Sequence, residues 1–186
     1  LAWKAGYRAF GENRPQELKR KLEGIEAYPE LRGARFDMIG NLQTNKINQA
    51  LACVDAVETL SSAELAHRID ARATRPLPVF VQVNVSGEAT KSGCAPDAVA
   101  PVVDAVSECA NLRLAGFMTV GLNSPDEAPV RRAYARLRSI RDDAAARTGI
   151  GAASLELSMG MSRDMAWAIA EGATIVRLGT AVFGAR

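Results

Sequence analysis

The chain has 186 residues, 48% of them apolar, and its 23 basic and 21 acidic side chains leave a formal charge of +2. That length allows one sizeable core, and the charges form no basic stripe, which argues against nucleic acid as a partner. Three cysteines, Cys53, Cys94 and Cys109, lack any Cys-x-x-Cys spacing, and no apolar run approaches a membrane span of ~18 residues. The expectation is a cytoplasmic, non-membrane protein without a disulfide framework or zinc site.

In chain order, the opening LAWKAG reads as the tail of a helix feeding a first strand, YRAFG (7–11), and it lacks a signal-peptide core. After Pro15, Leu18, Leu22 and Ile25 recur at helical spacing. FDMIG (36–40) reads as the second strand, Ile47, Leu51 and Val54 as a second helical stripe, and AVETL (56–60) as the third strand. Ser61-Ser62-Ala63-Glu64 fits a capping box opening a third helix. In VFVQVNV (79–85) the valines share one face and Phe80, Gln82 and Asn84 the other. Polar residues on one face of a buried strand predict a barrel interior or a site.

LRLAGFMTV (112–120) is the fifth strand, and Ser124-Pro125-Asp126-Glu127 is a second capping box with proline at the first helical position. RRAYARLRSIRDD (131–143) follows as a charged helix with a solvated outer face. SLELS (154–158), a helix over about 163–171 stopping at Gly172, and TIVRL (174–178) complete the pattern. Seven strands alternating with helices predict a parallel α/β sheet, one strand short of a closed (β/α)8 TIM barrel. The expectation is a single domain over residues 1–186, a barrel whose first βα unit is absent from the sequence. Two unpaired strand edges would follow, an aggregation liability that predicts poor folding of the chain alone.

Loops after the last strands of such barrels commonly hold phosphate. LSMGMSRDM places Ser158, Gly160 and Ser162 after one strand, and VRLGTAVFG places Gly179 and Thr180 after the other. Glycine and serine there serve equally as ordinary turn and cap residues. Arg177 adds more: a guanidinium ending an interior strand needs a carboxylate, such as Glu156 or Asp164, or a ligand acceptor. His67, the single histidine, reads as a surface or packing residue, and Trp3 and Trp167 as helix packing.

Five motifs in one order, AFGEN (9–13), MIGNLQTNK (38–46), VNVSGEATKSG (83–93), LSMGMSRDM (157–165) and VRLGTAVFGAR (176–186), resemble the pyridoxal phosphate homeostasis protein family. The resemblance implies a barrel of the alanine racemase N-terminal type that holds pyridoxal 5′-phosphate (PLP). It implies a role in buffering and delivering PLP, without established turnover, through transient contact with apo PLP-dependent enzymes. Position by position, it implies Arg177 at the ring nitrogen, Ser158, Ser162, Gly179 and Thr180 at the phosphate, and Asn13 and Met161 near the ring.

The family's Schiff-base lysine is expected upstream of Leu1, leaving no catalytic residue to name within the sequence. Lys46 and Lys91 match other family lysines and are expected near the barrel mouth. Asp37 stands where the family usually has histidine. Two alternatives remain at this stage: a PLP-dependent amino-acid racemase of the same fold, and a phosphosugar-binding barrel enzyme. A monomer is expected, because no long heptad or exposed apolar stripe is visible.

Overall fold

The computed structural model describes residues 2–184. Seven strands form one parallel sheet in chain order: β1 (Ala9–Glu12), β2 (Arg35–Met38), β3 (Ala56–Leu60), β4 (Leu77–Gln82), β5 (Leu112–Met118), β6 (Glu156–Met161) and β7 (Ile175–Arg177). Between them run α1 (Pro15–Glu23), α2 (Ile47–Leu51), α3 (Ala63–Asp70), α4 (Val99–Glu108), α5 (Glu127–Thr148) and α6 (Met165–Ala170), and α7 (Thr180–Phe183) follows β7. All seven expected strands are present, each within a few residues of its expected bounds.

The sheet curls. Ser158 on β6 donates a hydrogen bond of 2.6 Å to Glu58 on β3. In a flat sheet strands three places apart lie about 14 Å from one another, so only strong curvature brings these side chains together. Two apolar clusters follow from that curvature. The larger joins strand residues such as Val57, Val79, Val81 and Leu157 to helix residues such as Leu18, Ile47, Val102, Tyr134 and Leu137. The smaller, Ala56, Phe80, Ala115 and Met118 with Ile175 packed on it, is made of strand residues alone and lines the lumen. Thus the valine face of β4 does face the helices, and its Phe80 face the interior.

In β5 the two faces change places where Ala115 and Gly116 oppose a register shift at Val79/Phe80. A Cβ on Gly116 would lie 2.2 Å from the Glu156 carbonyl oxygen, so glycine lets β5 and β6 approach there.

Several local expectations shift. Residues 2–6 form successive turns, with Ala5 and Gly6 amides bonded to the Ala2 and Trp3 carbonyls at 3.0 Å, rather than a helix tail. Ser62, not Ser61, caps α3, its hydroxyl accepting the Leu65 amide at 3.1 Å. The N-cap of α5 is Asp126; Ser124 instead closes a turn before it by accepting the Asp126 amide at 3.1 Å.

The outer face of α5 is less solvated than its charge suggests. Arg131 and Arg138 both pair with Glu171 beyond α6, and Arg141 donates to the Ala152 and Leu155 carbonyls. Gly172 does close the helix before β7, with φ of +94°.

Candidate functional site

Because every strand runs the same way, the loops following β1 to β7 gather at one end of the sheet. Arg177, the last residue of β7, pairs in register with Met161, the last of β6. Its half-buried guanidinium turns inward: Nη1 donates to Ser158 Oγ at 2.7 Å and Nη2 to the Thr119 carbonyl at 2.6 Å. Neither Glu156 nor Asp164 is its hydrogen-bond partner. Its other hydrogens take no protein acceptor among the described residues. Burial lowers the Arg177 pKa while the nearby Glu58 opposes it; a guanidinium nevertheless stays charged at neutral pH.

Ser158 lies deeper than the expected strand end implies. β6 continues to Met161 rather than ending at Ser158, which places that side chain inside the lumen, fully buried. Its one hydrogen goes to Glu58 Oε2, and it accepts from Arg177. A phosphate needs donors, and this hydroxyl has none left to offer. Ser158 therefore stands behind Arg177 in this arrangement.

Met161 and Ser162 are exposed at the mouth, in a turn fixed from below. Asp164 Oδ1 accepts the Met161 amide at 2.7 Å, and Oδ2 accepts the Tyr134 hydroxyl at 2.6 Å. Tyr134 is wholly buried, and burial together with Asp164 pushes its phenol pKa upward. After the neighbouring strand β7, the Val182 and Phe183 amides both fold back on the Gly179 carbonyl. The amides of Thr180 and Ala181 take no carbonyl among the described residues. A Cβ on Gly179 would meet nothing within 4 Å. Open space, free amides and the Thr180 hydroxyl thus follow Arg177, an arrangement that suits an anionic group.

Asn13 also lies at this end, exposed, but in a depression of about 320 Å³ that it lines with Gln16, Asn41, Gln43 and Lys46. Met161, Arg177 and Thr180 are not part of that lining. Asn13 thus shares this depression with Lys46. Lys91 is engaged elsewhere. Its Nζ donates to Glu88 at 2.6 Å and to the Gly121 carbonyl at 2.8 Å, strapping the loop after β4 to the segment after β5. Asp37 is buried and accepts Arg35 Nε at 2.8 Å.

The three thiols are free, and burial raises all three pKa values, Cys94 to about 11. Exposed His67 lies 3.9 Å from Cys109 Sγ on the outer helices. Among the described residues no cluster of three or more His, Cys, Asp or Glu could hold a metal ion.

Sequence reasoning misses Glu58. The available signal is an acid in the middle of AVETL, a strand otherwise free of charge and buried along its whole length. Thr119 has no signal, because it contributes a backbone carbonyl.

The family described as Alanine racemase, N-terminal domain matches residues 1–186. A Pseudomonas aeruginosa protein named Pyridoxal phosphate homeostasis protein is 40% identical over 185 residues, covering 98% of this chain and 76% of the relative. The structure of PipY from Synechococcus elongatus with PLP bound superposes with a TM-score of 0.84 at 30% identity, over 98% of this chain and 84% of that one. An alanine racemase from Clostridium difficile, at 16% identity and a TM-score of 0.73 over 99% of this chain and 47% of that one, shares the fold.

Proposed function

From a chain that belongs to the pyridoxal phosphate homeostasis protein family, we propose a protein that binds PLP at the mouth of the barrel and takes part in PLP homeostasis by holding and delivering it. The observation that carries this reading is the Arg177 guanidinium, fixed by Ser158 and Thr119 with hydrogens still free for a ligand acceptor. Arg177 takes the ring nitrogen. Ser162, Gly179 and Thr180 take the phosphate, with the α7 amides contributing. Met161, in register with Arg177, covers the ring, and Asn13 approaches from the β1 side.

When bound, PLP supplies an aldehyde and an electron-withdrawing ring. An arginine partner cannot give the ring nitrogen a proton, which weakens that ring as an electron sink. This suits retention and transfer of the cofactor better than turnover. The protein acts as a cytoplasmic monomer, in transient contact with apo PLP-dependent enzymes; its three free cysteines support a reducing compartment.

Titration with PLP, followed by absorbance, tests the reading. Saturable binding is expected for the protein, weakened about 10- to 100-fold by Arg177→Ala, the range for a lost hydrogen bond from a charged group. Equal affinity of the variant, or a preference for simple sugar phosphates over PLP, would overturn it.

A further inference from the structure

Glu58 is 2% exposed and is assigned no ligand contact above. Arg177 can only donate, so Ser158 accepts from it, and while Glu58 is ionised Ser158 directs its single hydrogen to that carboxylate. The ionisable groups facing Glu58 are Arg177 from β7 and Arg35 from β2, which favour its charged form, and Asp37 from β2, which opposes it. Loss of solvent outweighs the favourable pair and pushes the Glu58 pKa above the ordinary glutamate range.

The two charge states of Glu58 leave Arg177 in different positions. With Glu58 ionised, the arginine charge is compensated from behind through one hydroxyl. With Glu58 protonated, Arg177 touches only neutral acceptors, Ser158 Oγ and the Thr119 carbonyl, and its charge is directed undiminished at the mouth. We propose that Glu58 is a positioning residue that sets, through Ser158, how strongly Arg177 holds an acceptor at the barrel mouth. Protonated Glu58 gives the holding state and ionised Glu58 the releasing state. This rests on the reading of Arg177 as the ring-nitrogen ligand.

The test is the pH profile of PLP affinity for the protein, Glu58→Gln and Ser158→Ala. Glutamine keeps the volume and an acceptor for Ser158 but cannot ionise. PLP has its own titrations, so the difference between profiles is the readout. Affinity of the unmodified protein should fall with rising pH relative to Glu58→Gln, about tenfold for each unit by which ligand binding raises the Glu58 pKa. Ser158→Ala, which cuts the link, should lose most of that excess slope.

Stability without PLP gives an independent readout. A carboxyl whose folded pKa is raised binds more protons in the native state, so stability is full below the unfolded value, about 4.3, and declines as pH rises through the folded one. Glu58→Gln should abolish that decline. PLP binding with identical pH profiles in all three proteins would overturn the proposal while leaving Arg177 as the ligand. Absence of PLP binding altogether would overturn both, and an unchanged stability profile in Glu58→Gln would show that Glu58 does not titrate in the fold.

Discussion

Gly160 has a φ of +92°, and a Cβ there would lie 2.4 Å from the Ala168 Cβ on α6. Both the backbone conformation and the packing of β6 on α6 therefore require glycine. Gly160→Ala should destabilise the protein by about 2–4 kcal/mol, combining left-handed strain with overpacking. In a chain of this size thermal unfolding should show a Tm lowered by roughly 4–16 °C; an unchanged Tm would mean that the turn is not held as described.

Single residues are unevenly legible in the sequence. Arg177 is conspicuous, because a fixed charge ending an apolar strand demands an explanation wherever it folds. Glu58 is equally anomalous in AVETL but lacks a visible partner, since Ser158 stands 100 positions away. Ser158 itself is misplaced by a strand end expected three residues early, which turns a lumen side chain into a mouth side chain.

The loops decide how the elements serve the site. Asn84 gathers the loop after β4, its Nδ2 donating to the Glu88 carbonyl at 2.8 Å and the Lys91 carbonyl at 3.2 Å, while Lys91 ties that loop to Gly121. Nearby, the Thr119 hydroxyl donates to the Val83 carbonyl at 2.7 Å, and the Thr119 carbonyl holds Arg177. Lys91 therefore helps to steady the backbone on which Arg177 rests. Lys91→Met should raise amide hydrogen exchange in residues 83–95 and 119–122 with little change in β3 or β6. Exchange unchanged in both loops would remove the strap from the account.

Alternation makes β4 legible, and the other strands show as short apolar runs between helical stretches. Helix starts are less so. SSAE and SPDE each contain several residues able to cap, and the choice among them depends on how the preceding strand delivers the chain.

For the whole molecule, the feature that matters is curvature. Hydrogen bonds from β6 to β3 and from β7 to β6 and the segment after β5 cross a lumen that no local pattern encodes. The sequence can therefore announce a parallel α/β barrel, while the interior chain from Arg177 to Glu58 emerges only once the strands are set around one another. Severing that chain at its buried end without replacing the acceptor should be felt globally. Glu58→Ala leaves the Ser158 hydroxyl unsatisfied and should destabilise by about 1–3 kcal/mol in denaturant unfolding, more than Glu58→Gln, which keeps an acceptor. Equal stability of the two variants would deny the bond its structural weight.

The most direct measurement of the central claim is a crystal structure of the protein soaked with PLP. The account predicts the ring nitrogen about 2.9 Å from an Arg177 guanidinium nitrogen, with the phosphate among Ser162, Gly179 and Thr180. PLP bound elsewhere, or lying with its phosphate on Arg177 and its ring turned to solvent, would contradict it.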